Sequence, residues 1–289
     1  PTPSISTQRT IAAFLSFLDD RITLLRETNA TLEAIAQALF KSWFIDFDPV
    51  QAKQQGLAPE GMDEATAALF PDSFEESELG LIPKGWRVGT VGEMSSYLNR
   101  GIPPMYIDDG GILVVNQKCI RDSIVDFQKA RKHDKGKKKI DGRELMVGDV
   151  LVNSTGVGTL GRVAQVLNLE EPTIVDSHVT VVRSGSKLSW NYLGLALMRR
   201  QEEIAGFGEG TTGQTELSRG KLSVIKVLVP SLSVLAQFDS LSLPLRHSFS
   251  NHLQLTQTLT SLRDTLLPRL ISGQLRLPEE AGPGEEVGR

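Results

Sequence analysis

The chain has 289 residues, of which 40% are apolar and 23% are charged, and its net charge is −4. This composition is ordinary for a globular protein, and no apolar run reaches the length of a membrane span, so a membrane-embedded class is excluded. Cys119 is the single cysteine, which excludes disulfides and multi-cysteine metal sites within the chain and favours a reducing, cytoplasmic location.

Residues 1–48 carry the pattern of a long helix with one apolar seam. The seam residues recur at steps that alternate between four and three, which is typical of a coiled coil. No Gly or Pro interrupts the seam, so it predicts a helix of about 38 residues, roughly 57 Å long at ~1.5 Å per residue. Its polar position, Asn29, is of the kind that fixes register and partner. The seam consists of Ile11, Leu15, Leu18, Ile22, Leu25, Asn29, Leu32, Ala36, Leu39 and Trp43.

Residues 49–81 are acidic and contain several Pro and Gly residues, and we interpret them as a connector with one short helix near residues 63–69. Residues 82–230 contain short runs rich in Val, Ile or Leu that end at Gly, Asp or Ser, which is typical of strands. Residues 191–204 have a helical pattern. A mixed α/β domain with a mainly antiparallel or mixed sheet is therefore predicted. The predicted strands are residues 112–115, 149–153, 162–167, 178–183 and 224–229.

A second long helix is predicted over residues 231–275, followed by a disordered tail, residues 276–289, that is rich in Pro, Gly and Glu. Segments of this helix match the first helix at a constant offset of 227 residues. Pro244 predicts a kink and Gly273 predicts the C-terminal stop. We therefore expect an α+β protein in which two related helices form an antiparallel coiled coil and bracket one domain. The second seam consists of Phe238, Leu241, Leu245, Ser248, His252, Leu255, Leu259, Leu262 and Leu266.

Positive charge is concentrated between Asn116 and Arg143, where there are ten Lys and Arg residues and four Asp residues. The densest part, residues 129–139, predicts contacts with phosphates, and a solvated loop is the alternative interpretation. The Asn116-Gln117-Lys118 segment and the polar loop 210–215 carry side chains of types that can pair with base edges, and polar loops without such a function are the alternative interpretation. The predicted DNA-contact set is Asn116, Gln117, Lys118, Arg121, Lys129, Arg131, Lys132, Lys135, Lys137, Lys138, Lys139, Ser154, Thr155, Thr211, Thr212 and Gln214.

Two patterns suggest enzyme chemistry instead. Residues 156–161 fit G-x-G-x-x-G, with Asp176 located 20 residues after Gly156, which is a pattern of dinucleotide-binding sites. A strand-like run follows at once, so a Gly-rich turn between two strands is the better interpretation. Ser177 and His178 are neighbours in a strand and point to opposite faces, so they do not form a nucleophile–base pair. The four histidines do not cluster, and no metal site is predicted.

Segments of both helices closely resemble the conserved helices of specificity subunits from type I restriction–modification systems. The first helix ends in the run Phe40-Lys41-Ser42-Trp43-Phe44, and this ending is the most specific part of the resemblance. The domain between the helices is the part in which such proteins diverge. The matching segments are residues 8–12, 18–19, 29–33, 36–37, 40–47, 82–86, 148–151 and 266–273.

The resemblance implies a subunit that has no catalytic activity and no cofactor of its own. In that family, two target-recognition domains each read one half of a split sequence in double-stranded DNA, and two antiparallel helices hold them apart. The helices bind two adenine methyltransferase subunits, which carry S-adenosylmethionine, and a restriction nuclease-translocase subunit completes the complex. The helices with their single domain therefore resemble a half-subunit or a C-terminal portion.

A single recognition domain implies a homodimer or pairing with a second half-subunit. Asn29, Trp43, Phe44 and Phe47 are the predicted subunit-interface residues, and the alternative for the three aromatic residues is packing on their own domain. Two other functions stay open. One is a nucleotide-binding enzyme that uses the turn at residues 156–161, and the other is a helical scaffold with an unrelated ligand domain.

Overall fold

The computed structural model describes residues 3–140, 142–209 and 215–277. Its contacts divide the chain into two units, Pro1–Ile35 with Leu245–Arg289 and Ala36–Pro244. We call the first the helix-pair unit and the second the globular unit. Most of the tail that was predicted to be disordered, residues 278–289, lies outside the described residues. Within the described ranges, no helix is long and apolar enough to cross a membrane.

Helices account for both ends of the described chain, and short helices occur between the strands. Both long helices have 40 residues, and the first contains neither Gly nor Pro, in agreement with the prediction. The helices are α1 (Ile5–Phe44), α2 (Asp48–Gln54), α3 (Glu64–Ala68), α4 (Val91–Met94), α5 (Trp190–Met198), α6 (Gln201–Gly206), α7 (Arg219–Ser223) and α8 (Leu232–Ile271).

The strands occupy the region between the long helices, and each of the five predicted strands is present. The strands are β1 (Phe74–Ser77), β2 (Gly80–Pro83), β3 (Arg87–Thr90), β4 (Ser95–Arg100), β5 (Tyr106–Ile107), β6 (Ile112–Val115), β7 (Ile120–Arg121), β8 (Ile124–Val125), β9 (Arg131–His133), β10 (Val150–Asn153), β11 (Val163–Gln165), β12 (Thr173–Val175), β13 (Val179–Ser184) and β14 (Lys226–Val229).

In the helix-pair unit, α1 and α8 run antiparallel, as predicted. Asp19 pairs with Arg263 at 2.7 Å, and Asn29 farther along α1 contacts His252, which lies nearer the start of α8. Contacts that advance along α1 therefore move backwards along α8. The seam predicted for this part of α1 is largely buried, because a long amphipathic helix must cover its apolar stripe. The buried seam positions are Ile11, Leu18, Ile22, Leu25 and Asn29.

Asn29 is used inside this unit, contrary to the prediction that it lies at a subunit interface. Its amide nitrogen donates to the Phe249 carbonyl at 3.1 Å, and its amide oxygen contacts Nδ1 of His252 at 3.1 Å. The residue is 6% exposed. A buried amide with both ends satisfied by one helix fixes the register against that helix, so Asn29 specifies the pairing within the chain.

The seam predicted for α8 is wrong at three positions. Leu241, Leu255 and Leu262 are 45%, 39% and 43% exposed. The positions buried instead include polar residues at a spacing of four, namely Ser242, Arg246 and Ser250. The spacing of apolar residues cannot predict a buried stripe that consists of polar residues. The helix also continues through Pro244, which is exposed.

Two four-stranded sheets form the centre of the globular unit. In the first, the strand order is β11-β10-β13-β4 and all pairs are antiparallel. In the second, the order is β12-β6-β9-β5, with β12 parallel to β6 and the other pairs antiparallel. The combination of antiparallel and parallel pairs confirms the prediction of a mixed α/β domain.

The aromatic residues at the end of α1 form part of the core of the globular unit. Trp43 and Phe44 are each 3% exposed, and both pack on Phe238. Phe47 contacts Phe74 and is partly buried. The prediction that these three residues form a subunit interface is therefore wrong for Trp43 and Phe44, and Phe47 packs on its own unit. Burying such rings is worth several kcal/mol, about 3–5 on the scale of truncation to Ala.

The segment interpreted as a connector contributes to the same core. It contains α2, α3 and the β1–β2 hairpin, and its Val50 and Phe70 are almost fully buried. Lys53 donates to the Ala67 carbonyl at 3.1 Å and ties α2 to α3. The acidic, Pro-containing composition concealed these few large apolar residues. Val50 and Phe70 belong to the same core as the aromatic residues at the end of α1, so these aromatic residues are buried within their own unit.

Candidate nucleic-acid interface

Two turns that follow buried strands lie side by side in the globular unit. Gln117 follows β6, and the turn at residues 156–161 follows β10. The amide of Asn153, the last residue of β10, donates to the Gln117 carbonyl at 3.1 Å. A Cβ built on Gly156 would lie 3.4 Å from Nε2 of Gln117. The structure thus brings together two segments that the sequence analysis selected separately.

The glycine-rich segment is a hairpin turn between the antiparallel strands β10 and β11. Gly156, Gly158 and Gly161 all have positive φ angles, of 106°, 70° and 81°. A Cβ on Gly161 would lie 2.4 Å from Cα of Ala205, so this position also requires glycine for close packing. A strand follows the turn, so no helix N-terminus is present there to bind a pyrophosphate.

A third group, at the start of β13, completes this edge. The Thr155 hydroxyl and Nδ1 of His178 are 2.6 Å apart, and the His178 backbone N–H donates to the Asp176 carboxylate at 2.9 Å. Asp176 is 3% exposed, and its burial raises the pKa of the carboxyl group. These contacts link the turn after β10 to β13. Neither Asp176 nor His178 was predicted to take part in this edge.

The predicted base-reading segment is locally ordered. The Asn116 side-chain oxygen accepts the Lys118 backbone N–H at 2.9 Å and caps a short 3-10 helix that spans Gln117–Cys119. This contact leaves the Asn116 amide N–H₂ group as a donor. Lys118 is exposed, and Gln117 is partly exposed beside the glycine turn. Amide and ammonium donors therefore lie at the end of a strand, where they are accessible to a ligand.

Several cations of the basic segment are anchored by contacts within the unit. Arg131 lies over the Tyr106 ring at 3.5 Å from its centroid, and Lys138 donates to the Pro103 carbonyl at 2.9 Å. Lys129 pairs with Asp126 at 2.7 Å, and Lys137 with Asp134 at 3.9 Å. These contacts give the segment a defined shape.

The remaining predicted contacts differ in their accessibility. Lys135 and Lys139 are exposed, and Lys132 is partly buried on β9. Arg121 is exposed and pairs with Asp122 at 3.4 Å. Ser154 is fully buried and its hydroxyl bonds to that of Thr180, so its side chain joins β10 to β13 and does not reach a ligand. Thr211, Thr212 and Gln214 lie outside the described residues.

A cleft with three arginines was not found from the sequence. Arg100, Arg143 and Arg219 line a cavity of about 610 Å³ together with Glu216. Arg143 donates to the Arg100 carbonyl at 3.2 Å, and Arg100 donates to the Leu217 carbonyl at 2.8 Å. The three arginines are far apart in the chain, so only the fold assembles them. Within the described residues, no cluster of His, Cys, Asp and Glu has the make-up of a metal site.

Comparisons with known proteins identify relatives over nearly the whole chain. No family model matches. The chain is 25% identical over 323 residues to the type I restriction enzyme HindI specificity subunit of Haemophilus influenzae, covering 94% of this chain and 68% of that protein. It is 28% identical over 292 residues to the MjaIX specificity subunit of Methanocaldococcus jannaschii, covering 96% of this chain and 61% of that protein.

A solved structure supports the same fold. The S subunit of a type I restriction–modification system from M. genitalium matches with a TM-score of 0.61 and 15% identity, covering 93% of this chain and 61% of that one. The chain thus spans about two thirds of the length of its relatives. Over nearly its whole length the chain is similar to the specificity subunits of type I restriction enzymes, in agreement with the resemblance of its helices.

Proposed function

We propose that this chain recognises one half of a split sequence in double-stranded DNA and directs adenine methyltransferase subunits to it within a type I restriction–modification system. A restriction nuclease-translocase subunit joins the same complex. The proposal rests on the match to two specificity subunits over 94% and 96% of the chain. The chain itself leaves methyl transfer to its partners.

The strand-end turns and the basic segment divide the work of DNA binding in this proposal. Gln117 and Lys118 lie at a strand end, where amide and ammonium groups are available for base edges, and the Thr155 hydroxyl lies beside them, 2.6 Å from Nδ1 of His178. The cations of residues 129–139 contact phosphates, which position a protein on the duplex without reading its sequence. Removing one group should therefore change sequence preference, and removing the other should change overall affinity.

The helix-pair unit is proposed as the spacer and as the site of subunit pairing. Because Asn29, Trp43 and Phe44 are used within the chain, the interface is assigned to exposed apolar residues of the two helices. Phe17 and Leu24 are 68% and 51% exposed on α1, and Leu255 and Leu262 are 39% and 43% exposed on α8. Each pair is spaced by one heptad, which suits the helices of a second half-subunit or a second copy.

Two experiments test this function. Methylome sequencing of a host with and without the gene, together with methyltransferase subunits, should show methylation of adenine at a split site that depends on the chain. A short, unsplit site directed by a monomer would contradict the two-reader arrangement. Incubation of the purified chain alone with S-adenosylmethionine and DNA should give no methylation, and methyl transfer would contradict the assigned role.

The division of work has its own test. Changing Lys137, Lys138 and Lys139 together to Ala should weaken binding to all duplexes and lower the slope of log affinity against log salt by up to about 0.9 for each phosphate that is no longer bound. Gln117→Ala should instead alter the selected sequence. The exposed Lys187, remote in the chain from this segment, serves as the control when changed to Ala. An unaltered affinity and slope in the triple variant would assign the segment to solvent.

A further inference from the structure

The arginine cleft carries an excess of positive charge that the basic segment does not include. Arg100, Arg143 and Arg219 line it, and Glu216 is the carboxylate among its lining residues. Three guanidinium groups against one carboxylate leave an excess of two positive charges. The volume of about 610 Å³ admits a group larger than a water molecule.

The fold holds each arginine in place and leaves donors available. Arg100 lies at the end of β4 and pairs with Glu216 at 2.6 Å while also donating to the Leu217 carbonyl. Arg143 donates once, to the Arg100 carbonyl, and Arg219 bonds to the Asn99 side chain. In the part of the chain described by the structure, these contacts engage one or two of the five N–H donors of each guanidinium. The remaining donors suit a planar or tetrahedral oxyanion.

We propose that the arginine cleft binds a backbone phosphate of the DNA, and that the Glu216 carboxylate occupies the place of that phosphate in the free chain. The inference rests on the DNA-recognition function proposed above and assigns a second phosphate contact to the same domain. Phosphate is favoured over a carboxylate ligand because the cleft already satisfies Arg100 with a carboxylate and still has two arginines in excess.

The cleft and the basic segment lie close to one another. Lys138 of the basic segment donates to the Pro103 carbonyl at 2.9 Å. Pro103 follows Arg100 by three residues, a distance of at most ~10 Å along the backbone. A strand of duplex DNA advances ~3.4 Å per phosphate along its axis, so ~10 Å corresponds to about three phosphates. One DNA backbone can therefore contact both the basic segment and the cleft.

The ion pair between Arg100 and Glu216 predicts the direction in which a change at Glu216 alters DNA affinity. A phosphate that enters the cleft must displace the carboxylate from Arg100, so Glu216 opposes DNA binding. Glu216→Gln keeps the shape of the side chain and removes its charge. This variant should bind duplex more tightly, by about threefold, since Arg100 no longer exchanges one anion for another. If Glu216 has only a structural role, the variant should bind duplex as weakly as the wild type or more weakly.

The test uses the full chain and a fluorescently labelled duplex of mixed sequence, measured by anisotropy over a series of salt concentrations. Arg143→Ala and Arg219→Ala should each bind about tenfold more weakly, and the salt slope should fall by about 0.9 for each phosphate that the variant no longer binds. Arg87→Ala is the matched control, because Arg87 is exposed on β3 and is not part of the cleft. Arg219→Lys retains the charge and should recover part of the slope. Thermal melts confirm that each variant is folded.

The outcomes separate the two proposals. If the wild-type chain binds no duplex, the DNA-recognition function and the cleft assignment both fail. If the wild type binds and the two cleft variants match Arg87→Ala, only the cleft assignment is overturned. A cleft that binds inorganic phosphate in calorimetry, while duplex binding is unchanged in both variants, is a site for a free anion and also overturns the DNA contact.

Discussion

Asp149→Asn should destabilise the globular unit by about 3 kcal/mol. Asp149 is fully buried at the start of β10, and its two carboxylate oxygens accept from Nε and Nη2 of Arg183 on β13, both at 2.7 Å. The carboxylate also accepts the Met146 backbone N–H at 2.8 Å. The bond to Asp149 raises the pKa of Arg183, so the guanidinium stays charged in the fold.

The expected loss in the free energy of unfolding follows from the contacts of the Asp149 carboxylate that an asparagine cannot make. One amide oxygen remains as an acceptor, but the amide N–H₂ group faces an arginine donor, and Arg183 keeps a charge without its carboxylate. Breaking a buried pair by removing one partner costs about 3–5 kcal/mol. The lower end applies because the Arg183 side chain is 21% exposed and water solvates part of its charge.

Asp122→Asn provides the matched control, since it removes a carboxylate that also pairs with an arginine. That pair, with Arg121, is 3.4 Å apart and its side chains are 72% and 83% exposed, so a loss below about 0.5 kcal/mol is expected. Urea unfolding followed by tryptophan fluorescence measures both variants, because Trp43, Trp86 and Trp190 all belong to the globular unit. Equal losses in the two variants would refute the reasoning from burial.

Three further changes test other parts of the structure. Asn29→Ala should cost the helix-pair unit about 1–2 kcal/mol, measured by circular dichroism in urea, because the Phe249 carbonyl and His252 lose their partner. An unchanged midpoint would show that the amide does not fix the pairing. Gly161→Ala should cost more than Gly158→Ala, by at least about 1 kcal/mol. Both have positive φ, but only the Cβ at 161 meets the backbone of Ala205. Similar losses at both positions would reject the close-packing argument. Burial raises the pKa of Asp176, so this carboxyl contributes stability below its unfolded pKa of about 3.9 that is lost as pH rises through its folded pKa. Asp176→Asn should remove that pH dependence in acid-range melts, and an identical pH profile would contradict it.

The sequence predicted α1 well because one physical pattern governs it. Apolar residues at alternating steps with no Gly or Pro leave few alternatives to a long helix, and the seam from Ile11 to Asn29 is largely buried as expected. For α8 the same method failed, because the polar residues Ser242, Arg246 and Ser250 are buried. Their burial depends on contacts that the fold makes, and no local spacing records it.

The candidate site shows the same limit. Asn116, Gln117 and Lys118 were selected because they follow an apolar run, and strand ends are where side chains become accessible. Arg100, Arg143 and Arg219 belong to three separate segments, and each is an ordinary single arginine in the sequence. Arg143 bonds to the Arg100 carbonyl and Arg219 to the Asn99 side chain, and no local pattern in the sequence records these contacts.

The position of the aromatic core has a consequence for synthesis of the chain. Phe40 and Phe44 pack on Phe238, and β3 pairs with β14. Residues that are translated early therefore form their native contacts only after residues near the end of the chain have been translated. At about 5–20 residues per second, the ribosome needs roughly 10–40 s to reach Phe238 after Phe44. During that interval the rings at the end of α1 have no native partner from α8, and nascent chains are expected to depend on chaperones that bind exposed aromatic surface.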